Sequence, residues 1–163
     1  MLQANELGTL IEIDAAGNAG YNGRRNTIDS PGSASTGLCC GSFSRDGRIS
    51  GFSSGGQEMD IAGPGDQTTS VSHRGNGWAT MSGTSMATPF IAGLMALTID
   101  AKRQKGIPDS EMTGATYWRN FLRNMMESGN SEDAGAPGHD NVFGYGKPPV
   151  VKWIDHLLTY TSV

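Results

Sequence analysis

The segment Gly83-Thr84-Ser85-Met86-Ala87-Thr88-Pro89, with the apolar run at residues 90–97 behind it, constrains this chain more than any other segment. The apolar run predicts a buried helix, from about Ser85 to Arg103, that begins at a glycine-hinged turn. A helix that starts there leaves free backbone N–H groups and the positive end of the helix dipole beside the Ser85 hydroxyl. Pro89 fits this helix if it lies near the first turn, where its missing donor costs little. Taken alone, the turn predicts either a nucleophilic serine or small residues that pack a helix start against a sheet.

Four segments together resemble one family of enzymes. The heptapeptide 83–89 resembles the nucleophile signature of the subtilisin-like serine proteases, Gly-Thr-Ser-Met-Ala followed by Ser or Thr and Pro. Residues 14–18, Asp-Ala-Ala-Gly-Asn, resemble the segment that carries the oxyanion-hole asparagine of that family. Residues 52–54 and 62–65 match two further segments in the right order. The resemblance implies a three-layer α/β fold with a mostly parallel sheet, of which this chain would hold only the C-terminal portion.

Peptide hydrolysis by a serine needs a nucleophile, a base that takes its proton, and donors for the developing oxyanion. The resemblance implies that Ser85 is the nucleophile, and that its own N–H and the side-chain amide of Asn18 hold the oxyanion. Without the family resemblance, the sequence predicts only a turn-forming role for Asn18. The same resemblance implies that the substrate is contacted by Ala15, Ala16, Gly17, Asp29 and Gly83.

Asp29 receives a specificity role from its position. In the family, the loop after the oxyanion asparagine returns to a Pro-Gly turn, and the residue two before that proline lies at the base of the S1 pocket. The turn here is Pro31-Gly32, so Asp29 would occupy that position and would favour Lys or Arg side chains. The alternative for Asp29 is a carboxylate in a surface turn.

The sequence lacks the motifs that carry the triad aspartate and the catalytic base, a histidine, in the family it resembles. The family's triad aspartate and histidine lie N-terminal to the oxyanion asparagine, but Asp14 is the only aspartate before Asn18 and no histidine precedes His73. His73 falls in a predicted exposed hairpin, His139 in a polar loop and His156 in a helix, where surface or structural roles are expected. We therefore expect the triad Asp and His to come from the N-terminal part of the domain or from a complementing chain. The isolated chain should then be nearly inactive.

Composition limits the other function classes. The chain has 163 residues, a formal net charge of −4 and 24 glycines, which predicts one domain with many tight turns. Its basic residues are scattered, which argues against a nucleic-acid partner. The apolar run is too short to cross a membrane and lies mid-chain, so we expect neither a span nor a signal peptide. The expected partner is a polypeptide substrate; the compartment stays open, although the family is most often secreted.

Neither a cofactor nor a metal is expected within this chain. Cys39 and Cys40 are adjacent and would point to opposite faces of a strand, so they suit neither a mutual disulfide nor a four-ligand metal site. Glu132, Asp133 and Asp140 fit no EF-hand loop, and a solvated loop is expected there. Many members of the family bind calcium, but the strongest site in the complete fold is built mainly from the N-terminal part.

Hydrophobic periodicity predicts the remaining elements. Past residue 106, Asp109 or Ser110 would cap a helix whose apolar face includes Trp118 and Phe121. We expect residues 1–105 to form the oxyanion and nucleophile core and residues 106–163 a helical part of the same partial domain. Strands are predicted at residues 9–13, 36–43 and 59–62, an exposed hairpin at 71–79, and a last helix that holds residues 150–157.

Two other functions are open to such a chain. A non-catalytic binding or assembly module, derived from the C-terminal half of a subtilase, is the main alternative, although it would not need both Ser85 and Asn18. An α/β-hydrolase esterase would use Ser85, an aspartate (Asp109 or Asp133) and His139 in that order. Ala87 argues against the esterase, because it stands where Gly-x-Ser-x-Gly has its second glycine.

Overall fold

The structure, a computed structural model, describes residues 11–21, 23, 25–34 and 36–159. Its central feature is a parallel sheet in the order β1-β2-β3. A separate antiparallel hairpin, β4–β5, precedes the long helix α1. The elements are β1 (Ile13–Ala15), β2 (Leu38–Phe43), β3 (Met59–Pro64), β4 (Thr68–Val71), β5 (Trp78–Met81), α1 (Thr84–Gln104), a 3₁₀ turn (Asp109–Glu111), α2 (Gly114–Glu127) and α3 (Val150–Thr159).

These elements confirm the expected partial α/β fold and correct several boundaries. The predicted first strand, residues 9–13, overlaps β1 only at Ile13: Ile11 and Glu12 are not in a strand, and Thr9 and Leu10 lie outside the described residues. The third strand continues through the Gly63-Pro64 pair that was expected to stop it. Asp109 does not cap α2, which begins only at Gly114; the Asp109 carboxylate instead accepts hydrogen bonds from Arg103.

The core lies mainly between the sheet and the helices. α1 packs against all three parallel strands, and the predicted apolar face of α2 is buried with it. A smaller cluster on the other side joins Ala16, Ile28, Cys39 and Met59. The adjacent cysteines therefore pack in different clusters, as alternation along a strand requires. The main cluster includes Leu38, Cys40, Ile61, Ala87, Ile91, Leu94, Met95, Trp118, Phe121, Leu122, Met125 and Trp153.

A partly buried ion pair compensates for an irregularity in β2. The pairing register of β2 with β3 shifts between Cys39 and Cys40, and the Cys39 N–H donates to Asp60 Oδ2 at 2.9 Å. Arg119, from α2, donates to Asp60 Oδ1 at 2.8 Å and to the carbonyl oxygen of Gly37 at 2.6 Å. Asp60 thus satisfies a backbone donor that the ladder leaves unpaired, and ties α2 to the sheet.

The two edges of the parallel sheet differ. Residues 144–146 run beside β3, where Tyr145 N donates to the Asp60 carbonyl at 2.8 Å and Ala62 N donates to the Gly146 carbonyl at 3.2 Å. Gly144, at φ +63°, is required there because a Cβ would lie 2.7 Å from the Met59 carbonyl oxygen. Within the described part of the chain, no strand pairs with the outer edge of β1.

α1 is long and apolar enough, by length and composition alone, to pass the test for a membrane-spanning helix, with a mean hydropathy of 1.2 over its best 18-residue window. Its residues Ile91, Leu94 and Met95 are buried in the core of the domain. Core helices of soluble proteins pass the same test, so this result is weak evidence for a span.

Candidate active site

Ser85 is the second residue of α1 and its side chain is exposed. The end of β3 supports the turn before it, because Gly83 N donates to the Gly65 carbonyl at 2.9 Å. A Cβ on Gly65 would lie 2.5 Å from the Gly83 carbonyl oxygen, so only glycine permits this approach. Pro89 is the sixth helical residue rather than a first-turn residue, and it cannot donate to the Ser85 carbonyl.

Asn18 is fixed against this turn by Thr84. Thr84 N donates to Asn18 Oδ1 at 3.0 Å, and Thr84 Oγ1 donates to the same oxygen at 3.2 Å. Gly17 N in turn donates to Thr84 Oγ1 at 3.2 Å. A backbone N–H can only donate, so these bonds require the amide oxygen of Asn18 to face Thr84. The amide nitrogen is then left to face the other way.

The proposed oxyanion donors approach one small volume beside Gly83. A Cβ on Gly83 would lie 3.5 Å from Asn18 Nδ2 and 3.8 Å from the backbone nitrogen of Ser85. Gly83 has extended backbone (φ 161°) that any residue adopts, so the missing side chain matters here for space rather than for conformation. Two nitrogen donors that lie beside one volume at the positive end of a helix can stabilise a negative oxygen there.

The substrate-contact residues of the prediction lie together along the end of β1. Ala16 N donates to the Cys40 carbonyl at 2.9 Å, and Asp29 N donates to the Ala16 carbonyl at 3.2 Å. A Cβ on Gly17 would lie 3.4 Å from Asp29 Oδ2, which places the exposed carboxylate beside this segment. The structure therefore brings residues 15–18, Asp29, Gly83 and Ser85 into one region, in which Asn18, Asp29 and Ser85 are exposed and Ala16 and Gly83 are buried.

The structure does not bring a base to Ser85 from the described histidines. His73 is exposed between β4 and β5, and its Nε2 accepts from Arg74 Nε at 3.3 Å. His139 Nε2 donates to the Met59 carbonyl oxygen at 2.7 Å. The side chain of His156 lies outside the described part. Asp14 faces Gly37, where a Cβ would lie 2.6 Å from Asp14 Oδ2, and burial, with a smaller effect of Glu12, raises the pKa of its carboxyl.

The carboxylates of the acidic loop after α2 bond to groups of this chain. Glu132 pairs with Lys147 Nζ at 2.7 Å. Asp133 Oδ2 accepts from Gly138 N at 3.0 Å, and Asp140 accepts from three backbone N–H groups of its own loop, at 2.7–2.8 Å. These carboxylates stabilise the loop, so we assign no step to a metal here.

The two cysteines are buried free thiols. Burial raises the pKa of Cys40 to about 12, and burial, followed by nearby carboxylates such as Asp60, raises that of Cys39 even further. Thiols held in the protonated form are poor nucleophiles and poor metal ligands.

Sequence reasoning missed the positioning residues Thr84 and Ser54. Thr84 is fully buried and joins the Gly17-Asn18 segment to α1. Ser54 N donates to the Gly17 carbonyl at 2.9 Å, and Ser54 Oγ accepts from Ala19 N at 3.1 Å. Both residues fall inside segments that resemble the family, so the signal was present, but sequence alone gave no partner for either hydroxyl.

Fold and site together define the class of a serine-hydrolase-like α/β domain, with an exposed serine at a helix N-terminus and an anchored asparagine beside it. A profile of the Subtilase family matches residues 2–146, and the chain therefore belongs to that family. It is similar to the intracellular serine protease of Paenibacillus polymyxa, with 39% identity over 123 residues, which are 75% of this chain and 37% of that protein. It is also similar to the thermostable alkaline protease of Halalkalibacterium halodurans, with 37% identity over 95 residues, 58% of this chain and 25% of that protein.

Solved structures show the same fold over nearly the whole chain. The prenylagaramide maturation protease PagA aligns with a TM-score of 0.72 and 24% identity, over 98% of this chain and 54% of PagA. A lanthipeptide protease aligns with a TM-score of 0.77 and 22% identity, over 94% of this chain and 52% of that chain. The chain thus spans about half the length of these structures, and a smaller share of the curated relatives.

Proposed function

We propose that this chain carries the nucleophile and oxyanion hole of a serine endopeptidase. The anchoring of Asn18 by Thr84, with its amide nitrogen turned towards the volume beside Gly83, is the observation that carries the proposal. Ser85 Oγ would attack the peptide carbonyl carbon while a base takes its proton, and the carbonyl oxygen would become an oxyanion held by Ser85 N–H and Asn18 Nδ2. The base would then protonate the leaving amine, and water would hydrolyse the acyl-enzyme ester.

The base and the residue that orients it would come from outside this chain. Subtilisin itself supplies the magnitude: without its triad histidine, turnover falls by about 10⁶. We therefore expect the isolated chain to be nearly inactive, and the N-terminal part of the domain, or a complementing chain, to restore activity. The acyl transfer needs only protein groups, so no cofactor is part of the proposal.

The test uses this chain in two forms. One form is the 163-residue chain; the other, here called the completed domain, has the N-terminal half of the P. polymyxa intracellular serine protease fused before residue 1. Both are treated with a fluorophosphonate probe, and the labelled residue is mapped by mass spectrometry, with Ser85→Ala as the control. We expect labelling of Ser85 in the completed domain only. Labelling of the isolated chain would show that a resident base works, and an additional His73→Ala variant would identify it.

Absence of labelling in both forms, with the completed domain folded, would favour the binding or assembly module. The exposed apolar side chains of Phe90 and Leu97 on α1 are the feature that suits such a module.

We also propose that Asp29 directs cleavage after Lys or Arg. Its exposed carboxylate lies beside Gly17, on the segment expected to bind the substrate backbone. A charge-assisted bond of about 1.5–3 kcal/mol corresponds to about 10- to 100-fold in kcat/KM. In the completed domain, Asp29→Asn should remove this preference between matched Arg and Leu peptides while leaving Leu cleavage unchanged. Equal rates for both peptides in the unsubstituted protein would refute the assignment.

A further inference from the structure

The turn that joins β4 to β5 ends in an asparagine-glycine pair. Asn76 and Gly77 are both exposed, in a turn that spans residues 72–77. The backbone bond from Ser72 N to the Gly77 carbonyl, at 2.8 Å, closes this turn. A Cβ on Gly77 would meet no atom within 4 Å. The turn therefore leaves open space around the glycine that follows Asn76.

The other described asparagines are followed by backbone N–H groups that are already bonded. Two of these asparagines, Asn120 and Asn124, lie inside α2, where the next N–H belongs to the helical ladder. The remaining four are followed by Ala19 N, which donates to Ser54 Oγ at 3.1 Å, Thr27 N, to the Gly55 carbonyl at 2.9 Å, Ser131 N, to the Met125 carbonyl at 2.8 Å, and Val142 N, to Asp140 Oδ1 at 2.7 Å.

Gly77 is the exception. Its carbonyl accepts from Ser72 N, but its own N–H donates to no group among the described residues. An N–H that is held in a hydrogen bond must be released by local opening before its nitrogen can react. The nitrogen after Asn76 needs no such opening, since it lies at an exposed loop tip.

We infer that Asn76 is a site of spontaneous covalent modification, at which its side-chain amide becomes a carboxylate through a cyclic imide. Gly77 N loses its proton to solvent and attacks Asn76 Cγ, which forms a new C–N bond. The Cγ–Nδ2 bond then breaks, and the amide nitrogen leaves as ammonia after it takes up a proton. The product of this step is a five-membered imide that joins the two residues.

Water opens the imide at either of its two carbonyl carbons. Cleavage of the bond between Cγ and the Gly77 nitrogen gives an aspartate at position 76. Cleavage at the main-chain carbonyl carbon gives an isoaspartate, in which the backbone passes through Cγ and is one carbon longer. The reaction consumes one water and releases one ammonia, so it needs no enzyme or cofactor.

Either product changes the charge of the turn. Residues 67–99 contain no aspartate or glutamate, and Arg74 is the cation of this stretch, beside His73. The new carboxylate would stand two residues from Arg74 and would offset its charge. An isoaspartate would also lengthen the chain between Ser72 and Gly77, next to the terminal strand pair Val71–Trp78. No step uses Ser85, so the inference stands apart from the proposed function.

The matched control places a second Asn-Gly pair in a bonded setting. Ala19→Gly gives Asn18 a glycine neighbour whose N–H faces Ser54 Oγ. Ala19 is exposed and does not have positive φ, so the fold should accept glycine there. The two pairs then have the same local sequence, and they differ in whether the glycine N–H is bonded.

The experiment incubates this variant at mildly alkaline pH, folded and in urea, and measures conversion at each asparagine by peptide mass spectrometry. Enzymatic methylation identifies isoaspartate. In the folded chain, Asn76 should convert at least about tenfold faster than Asn18, because a tenfold ratio needs only about 1.4 kcal/mol of opening free energy at Ala19→Gly. In urea the two rates should be similar. Equal rates in the folded chain, or conversion of Asn76 in urea only, would overturn the inference.

A second variant tests the route. Gly77→Ala keeps Asn76 and adds a methyl group where the structure has open space and no positive φ. Conversion at Asn76 should fall at least about tenfold, because the Cβ hinders the nitrogen and restricts the backbone. Conversion that is unchanged and gives aspartate without isoaspartate would mean direct hydrolysis, and would also overturn the inference. The completed domain serves for both comparisons if either variant unfolds the isolated chain.

Discussion

The two sides of Ser85 are built differently. On the side of Asn18, four backbone or side-chain groups are joined by hydrogen bonds of 3.0–3.2 Å that centre on the buried Thr84. On the other side, α1 presents the exposed apolar residues Phe90 and Leu97, here called its outer face, and the hairpin presents Val71 and Met81. Among the described histidines, none bonds to Ser85. The first side is fixed by groups within this chain, whereas the second is apolar surface that the described residues leave exposed.

The two sides of Ser85 therefore depend on different kinds of interaction. The oxyanion side depends on polar bonds between residues 17–18 and α1, which the chain forms by itself. The other side presents exposed apolar area, whose burial is favourable only when a second surface covers it. Under the proposed function, the chain is folded around its nucleophile while the base comes from outside it.

The largest expected effect contrasts the two faces of α1. Ile91 is fully buried against the sheet, whereas Leu97 is 55% exposed. In the isolated chain, Ile91→Ala should lower the free energy of unfolding by about 2–5 kcal/mol, and Leu97→Ala by no more than about 0.5 kcal/mol. Urea denaturation followed by circular dichroism measures both. Similar losses of unfolding free energy in the two variants would mean that Leu97 is already packed against other residues. The contrast between the two faces of α1 would then disappear.

The next largest effect concerns the side-chain Nδ2 group of Asn18, the proposed hydrogen-bond donor to the oxyanion. In the completed domain, Asn18→Leu should lower kcat by about 10²–10³ with little change in KM, a magnitude that comes from subtilisin. Asn18→Asp is the matched control, because a carboxylate still accepts from Thr84 N but offers no N–H to the oxyanion. It should keep the stability of the isolated chain and still lose activity. An active Asn18→Asp variant would mean that Asn18 only fixes the turn.

The local elements of this chain could be predicted from sequence because each has a short-range cause. The apolar run after Ser85 predicted α1 to within one residue at each end, and the alternation at Cys39-Cys40 predicted their separate clusters. The start of α2 could not be predicted, since Asp109 looked like a cap but pairs with Arg103. Thr84 was missed because its role depends on contacts 66 and 67 residues away. The site residues, the base and the S1 preference remain predictions.

A smaller effect tests the link between Asn18 and α1. Thr84→Val keeps the shape of the side chain but removes the hydroxyl that accepts from Gly17 N and donates to Asn18 Oδ1. Because Thr84 is fully buried, the Gly17 N–H would lose its partner, at a cost of about 1–3 kcal/mol. Thr88→Val removes a bond to the Thr84 carbonyl in the same helix and a hydrogen bond with the Cys40 side chain. It should cost less, because it leaves no backbone N–H without a partner. If urea denaturation gives equal losses of unfolding free energy for the two variants, the Thr84 hydroxyl contributes no more to stability than the Thr88 hydroxyl does.

The smallest expected effect concerns the space beside Gly83. A substitution there separates the effect on folding from the effect on catalysis on the Asn18 side of Ser85. The extended backbone of Gly83 suits any residue, and an added Cβ would keep 3.5 Å or more from its neighbours. Gly83→Ala should therefore raise the stability of the isolated chain by about 0.4–1 kcal/mol, because it lowers the entropy of the unfolded chain. The same methyl would occupy the volume that Asn18 Nδ2 and Ser85 N both face, so kcat of the completed domain should fall, by less than it falls in Asn18→Leu. Thermal unfolding and peptide hydrolysis are measured on the same variant. If the stability rises while kcat stays unchanged, the oxyanion does not bind beside Gly83, and Asn18 and Ser85 N must serve another purpose.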